Sequence, residues 1–344
     1  MFGLGVFAAE HRLEKLSKLG DSLVKLRRVI DWNMFRPILS KALELDKPKK
    51  KAGRPSFDSV LMFKVLILQR LYNLSDAQIE FQINDRMSFM RFLGLGVYDR
   101  VPDEKTVWAF REKLTKAGVM PELFERFAKE LQRANLITRE GSIVDASFVE
   151  APRQRNTREE NQQIKQGEVP EEWQKEENAN KLRQKDVDAR WTIKRKELHY
   201  GYKNSVKVDL VSKLITKAKV TAANEHDSQA LESLIDENDR KLYADSAYDG
   251  KNTLKCVPDH VEIHITKKAS RHVKLTEAQR EENRVIARKR CRVEHVFGFM
   301  TTTMKSLNVR SIGLTRAKFS VMLSNLVYNM FRYEFLTRSL RIAG

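Results

Sequence analysis

Two aspartates in this sequence follow short apolar runs: SIVD ends at Asp145 and KLYAD at Asp245. Apolar residues directly before an acid read as a buried strand that delivers its carboxylate to the rim of a sheet, where open α/β sheets bind ligands. A third acid, Glu294, lies in RKRCRVEHVFG on a helical segment, with Arg290 one turn before it on the same face. The three acids are far apart along the chain, so a site that they share must be assembled by the fold. Each alone also has a structural explanation, as a strand-end residue or as the partner of Arg290 or His295. Residue type, strand position and topological order are what join them.

Three carboxylates held together repel one another and need cations. Hard oxygen ligands with no His or Cys set nearby suit magnesium or manganese rather than zinc. Two such ions, roughly 3.5 to 4 Å apart, activate an attacking oxygen and stabilise the leaving one in an in-line displacement at phosphorus. The expected chemistry is therefore two-metal phosphodiester hydrolysis and transfer, with Mg2+ as cofactor and Mn2+ as its substitute.

The partner class is set by charge. Lys and Arg outnumber Asp and Glu by 64 to 46, a formal charge of +18, with a pI of about 9.8. Such a balance favours a polyanion, nucleic acid first, with a ribosomal or membrane-surface role as the alternative. At 344 residues and 41% hydrophobic composition the chain can bury a substantial core. Cys256 and Cys291 have no second thiol nearby, which excludes a zinc ribbon and a disulfide framework and fits a reducing cytoplasm. The apolar start lacks the basic region of a signal peptide. The most apolar stretch, SVLMFKVLILQRLYNL, is interrupted by Lys64, Gln69 and Arg70, so no membrane span is expected.

The elements that must position the acids can be read in order. Residues 1–46 carry Leu13, Leu16, Leu19, Leu23, Leu26, Val29 and Ile30 at helical spacing, a helical hairpin from His11 to Leu45. Residues 47–56 form a basic linker broken by Pro and Gly. Residues 57–135 resume helical periodicity, with Ser75 and Asp103 as N-caps, and read as a helix-turn-helix-like domain. Residues 136–344 form an α/β domain. Its first strand lies in GSIVDASFVEAP, and a charged insertion comes next at 151–198, carrying Trp173 and Trp191 and expected to be exposed and partly helical or disordered. HYGYKNSVKVDLVS and LITKAKVTAAN pair about a turn near Lys213. Asp227 caps a helix, and Ser246 and Tyr248 shape the turn after Asp245. KLYAD and VEIHITKK are further strands. A long helix runs from Thr276 to about Met304, and an apolar helix closes the chain.

At these residues the chain resembles the DDE transposases of bacterial insertion sequences, specifically the insertion-sequence-five group. The motifs that carry the resemblance are GRPSFDSVLMFKVLILQRLYNLSDAQIEFQI, VPDEKTVWAFREKL, IVDASFVEAP, GYKNSVKVD, VTAANEHDSQAL, YADSAYDG and RVEHVFG, from about Arg54 to Phe335. The resemblance implies a ribonuclease-H-like mixed-sheet catalytic core behind an all-α DNA-binding region, with Asp145, Asp245 and Glu294 as the catalytic and metal-binding triad. It also implies cleavage at the terminal inverted repeats of the element, joining of the 3′ ends to target DNA, a homodimer in the DNA complex and a bacterial, nucleoid-associated location. The wider signature around the glutamate expects a tyrosine where Ala287 stands and a lysine where Thr301 stands; Lys305, one turn later, is the available substitute.

DNA contacts are expected from Lys267, Lys268, Arg288, Lys289, Arg290 and Arg292 beside the site, and from Lys305. Lys105 and Arg111 on EKTVWAFREKL are candidates for a major-groove helix, and Lys49, Lys50, Lys51 and Arg54 for a minor-groove arm. Two other readings share these features: a DNA-binding regulator without catalysis, and a nuclease of the same fold that never joins strands.

Overall fold

A computed structural model of the chain describes residues 6–44, 55–194, 196–269 and 274–343. They divide into two compact units, Met1–Glu130 with Leu326–Gly344, and Leu131–Asn325. The expectation of one domain running from 136 to 344 therefore differs from the observed contacts, in which the end of the chain groups with the N-terminal helices.

The first unit is helical. Its helices are α1 (Val6–Lys18), α2 (Ser22–Val29), α3 (Arg36–Ala42), α4 (Ser59–Leu71), α5 (Asp76–Asp85), α6 (Met87–Leu93), α7 (Glu104–Ala117) and α8 (Met120–Arg133). Instead of a simple hairpin, the first segment gives three helices and a 3-10 turn at Trp32–Phe35. Helix α4 is buried on nearly every face, from Val60 to Leu71, as a helix apolar all round must be. Phe35, Phe63, Phe92 and Trp32 meet around it, with Trp32 edge-on to Phe92 at 5.4 Å. Ser75 accepts from the Gln78 amide and Asp103 from that of Thr106, so both expected caps are present.

The second unit is built on a six-stranded mixed sheet: β1 (Ser142–Glu150), β2 (Arg190–Lys194), β3 (Glu197–Asp209), β4 (Ile215–Ala222), β5 (Lys241–Ala244) and β6 (Glu262–Ile265). β1 runs antiparallel to β3 and parallel to β5, and β5 parallel to β6. The long strand β3 pairs first with β2, over Glu197–Gly201, and then with β4 from Tyr202 onward. An antiparallel half joined through the first strand to a parallel half is the ribonuclease-H-like arrangement. Apolar β1 and β5 residues pack with Leu231, Leu234 and Tyr248, while the far ends of β1, β3 and β4 pack with Val309, Ala317 and Val321.

The insertion is ordered by its own contacts. It holds α9 (Arg158–Lys165), α10 (Glu171–Gln174), α11 (Ala179–Arg183) and strand β2. Trp173 is fully buried, its indole donating to Glu160 at 2.6 Å. The remaining helices are α12 (Leu231–Leu234), α13 (Lys251–Leu254), α14 (Glu277–Arg290), α15 (Glu294–Gly298) and α16 (Leu314–Ala343). Among the described residues no helix is long and apolar enough to cross a membrane.

Candidate active site

The register of the two central strands positions the aspartates. β1 and β5 are parallel with Ser142 opposite Leu242 and Ile143 opposite Tyr243, and the same offset sets Asp145 level with Asp245. Neighbouring strands lie about 4.8 Å apart and side chains of equal parity share a face, so both carboxylates leave the sheet side by side. Each is held locally. Asp145 accepts from the Ala146 amide at 2.8 Å. Asp245 caps the 3-10 turn Ser246–Tyr248 by accepting from the Ala247 amide at 2.9 Å.

Arg290, at the end of α14, reaches between them. Its Nη2 donates to Asp145 at 3.0 Å and lies 4.0 Å from Asp245. All three side chains are partly buried. Burial pushes the Asp145 carboxyl above its ordinary value, the nearby Asp245 adds to that push, and the charges of Arg290 and Lys194 oppose it. Tyr248, packed in the core with Val144, Leu242 and Ala244, is fully buried, and its hydroxyl has no hydrogen-bond partner among the described residues. Burial raises the Tyr248 pKa, with the charges of Asp227, Asp145 and Asp245 acting in the same direction.

Glu294 lies on the helical segment that follows Arg290. The helix is interrupted by a 3-10 turn at Cys291–Val293 before α15 begins at Glu294. Arg290 contacts Asp145, and Glu294 is exposed to solvent. Among the described residues no three acidic, His or Cys side chains come together as a metal cluster. The aspartate pair nevertheless fits a hard divalent cation, since it offers oxygen donors from adjacent strands, one of them a desolvated carboxylate whose charge needs a counter-ion.

The other expected residues lie in varied settings. Arg288, Lys289 and Lys268 are exposed and make no ion pair with a described residue. Lys267 pairs with Glu282. Arg292 is half-buried and donates to the Val211 carbonyl at 3.4 Å. Lys305 is exposed and lies past the π-helical turn Phe299–Thr303 with φ of 47°, so it ends the helix rather than continuing it by a turn. Lys105 is exposed on α7, next to solvent-facing Trp108. Arg111 instead makes a two-pronged pair with Asp76, at 2.6 and 2.8 Å. Lys49, Lys50, Lys51 and Arg54 lie outside the described residues.

Two further corrections concern the surroundings. Asp227 does not cap its helix: His226 does, accepting from the Ser228 amide, while Asp227 pairs with Lys203 at 2.8 Å and Lys194 at 3.6 Å. Strand β2, which carries Lys194, was hidden in the charged insertion, although the β-favouring run Trp191-Thr192-Ile193 signals it.

A ribonuclease-H-like sheet with paired aspartates at the ends of its parallel strands defines a class of metal-dependent nucleic-acid phosphoryl-transfer enzymes. Residues 137–330 match the family described as "Transposase DDE domain", and residues 11–113 match "Transposase domain (DUF772)". The chain belongs to the DDE transposases, enzymes that cut and transfer DNA strands with divalent metal ions. Among solved structures it is similar to piggyBac transposase in a synaptic complex with hairpin DNA, at 11% identity and a TM-score of 0.46, over 93% of this chain and 76% of that one.

Proposed function

We propose that the chain is the transposase of a bacterial insertion sequence of the insertion-sequence-five group, which binds its terminal inverted repeats, cleaves at the element ends and joins the 3′ ends to target DNA. The observation that supports this most directly is the level placement of Asp145 and Asp245 on adjacent parallel strands, with Arg290 shared between them. Asp145 and Asp245 would hold the divalent ions, magnesium in the cell with manganese as a substitute, and Glu294, on the helical segment after Arg290, would complete the set. Such ions would supply Lewis-acid activation of the attacking oxygen and stabilisation of the leaving one.

The protein's own groups do the rest. Arg290 offsets the charge of the two carboxylates and fixes the Asp145 rotamer. Tyr248 closes the floor of the site against water. Arg288, Lys289 and Lys268 hold backbone phosphates as the strand enters. Residues 57–135 recognise the repeats, with Lys105 on the exposed side of α7, and the basic linker runs along the minor groove. Two copies bring two ends together as a homodimer in the bacterial cytoplasm.

The test incubates purified protein and magnesium with the DNA flanking its own gene and maps the released 3′ ends. Discrete 3′ hydroxyl ends at the element boundary, later found joined to a second duplex, are expected. Ends that are released but never joined would leave a nuclease. Binding without release would leave a regulator.

A further inference from the structure

Each of the two aspartates uses one carboxylate oxygen locally and keeps the other. Asp145 Oδ1 accepts from the Ala146 amide, and Asp245 Oδ1 from the Ala247 amide. The remaining oxygens lie near a single atom: Arg290 Nη2 is 3.0 Å from Asp145 Oδ2 and 4.0 Å from Asp245 Oδ2. These are the oxygens with which the two carboxylates would share a hard cation. The guanidinium and a shared divalent ion therefore compete for the same lone pairs, and their like charges repel.

Arg290 itself is poorly satisfied. A guanidinium carries five N–H donors, yet the Asp145 contact is its one side-chain hydrogen bond to a described residue, and its Nε is buried without an acceptor. The partner that matches its planar fork best, besides a carboxylate, is a phosphate, held through two parallel hydrogen bonds. Charge points the same way. Two carboxylates and one guanidinium leave one negative charge unmet. A divalent ion overshoots by one positive charge, and a phosphodiester restores neutrality. We propose that Arg290 exchanges the two carboxylates for a DNA phosphate when a divalent ion binds them, so that nucleic-acid binding and cation binding strengthen each other. The proposal rests on the metal and DNA reading above and deepens it. Exposed Arg288 and Lys289, directly before Arg290 at the end of α14, lie on the same short stretch of chain and bring phosphates within its reach. Coupling of this kind is equal in both directions by linkage. It also has a sign that a purely structural role lacks. Loss of a group that only orders Asp145 weakens cation binding, whereas loss of a competitor tightens it.

The test measures Mn2+ binding to the full chain from the electron paramagnetic resonance signal of the free ion. It is run with and without a saturating nonspecific duplex, whose own Mn2+ binding is measured separately. Without DNA, Arg290→Met is expected to bind Mn2+ about tenfold more tightly than the parent, an ordinary scale for coupling between sites. Adding DNA is expected to tighten Mn2+ binding by about tenfold in the parent and by less than about twofold in Arg290→Met. Equal or weaker Mn2+ binding by Arg290→Met, or the same gain from DNA in both proteins, overturns the proposal. Arg290→Lys keeps the charge and loses the fork; it is expected to match the parent without DNA and to gain less when DNA is added. Should Arg290→Met fail to fold, a parental gain in Arg290→Lys overturns the proposal by itself. Asp145→Asn is expected to lose the Mn2+ site. A site that survives Asp145→Asn removes the metal assignment and the exchange together, whereas a site lost there but not tightened in Arg290→Met removes only the exchange.

Discussion

Asp145 carries a charge that its surroundings resist, since burial and Asp245 both raise its pKa and the Arg290 guanidinium is the principal opposing charge. Replacing either aspartate by asparagine keeps the shape and removes an anionic ligand. Asp145→Asn and Asp245→Asn should each lower DNA cleavage by about three orders of magnitude, the several-kcal/mol scale of metal-ion stabilisation, while duplex binding stays within about twofold. Cleavage at the parental rate in either variant would remove that residue from the proposed machinery. A second buried charge lies in the helical unit. The Lys64 ammonium sits 5.1 Å from the Trp32 ring centroid. Burial, aided by the Arg27 charge, lowers its pKa from 10.5 to about 8. The folded chain thus loses this proton at lower pH than the unfolded chain does. Between those two values the unfolded state binds more protons, and stability must rise with pH. Urea midpoints measured at about pH 7 and about pH 10 should show that rise in the parent and a smaller one in Lys64→Met; equal rises would place its source in other groups.

At the scale of elements, the register between β1 and β5 is what turns two distant aspartates into neighbours, and much of this could be read in advance. SIVD and KLYAD announce buried strands by their apolar runs, and Ser75 and Asp103 announce helix starts by their oxygens. The 3-10 turn at Cys291–Val293, just before Glu294, was not legible, because it has no sequence signature as plain as a proline or glycine. The insertion misled for a related reason. Its order depends on one buried Trp173 bonded to Glu160 and flanked by Lys181 and Lys185, contacts made across the segment and invisible to local periodicity. Gly201 shows how tight the switch within β3 is. It has φ of 145°, and a Cβ there would meet the Val149 carbonyl oxygen at 2.3 Å and the Ala151 nitrogen at 2.7 Å. Neither backbone atom can move without breaking the β1–β3 ladder. Gly201→Ala should therefore destabilise the sheet by about 2–4 kcal/mol, the upper part of the range for point substitutions, read as a lowered urea midpoint with unchanged slope. A midpoint equal to the parent's would mean that the strand crossing tolerates a side chain.

For the molecule as a whole, an excess of 18 positive charges favours a polyanion such as DNA but does not say which cations touch it, and the ion pairs narrow the choice. In the basic segment around α14, Arg280 and Arg284 are each paired with an acid three residues earlier, and Lys267 with Glu282. Arg288 and Lys289 are exposed one turn or less before Arg290, itself in contact with Asp145. On the proposed entry path along α14, phosphates would meet these two residues, whereas Lys267 would have to give up an existing partner. Binding to a duplex releases roughly 0.9 condensed cation for each phosphate neutralised, so the slope of log affinity against log salt counts contacts. The double variant Arg288→Glu, Lys289→Glu should flatten that slope by about two, and Lys267→Glu by much less, since its charge is already met by Glu282. The measurement is a salt titration of binding to a nonspecific duplex, which requires neither cleavage nor knowledge of the terminal repeats. If the double variant keeps the parental slope while Lys267→Glu loses it, the strand enters by the β6 side of the segment and the path assigned along α14 is wrong.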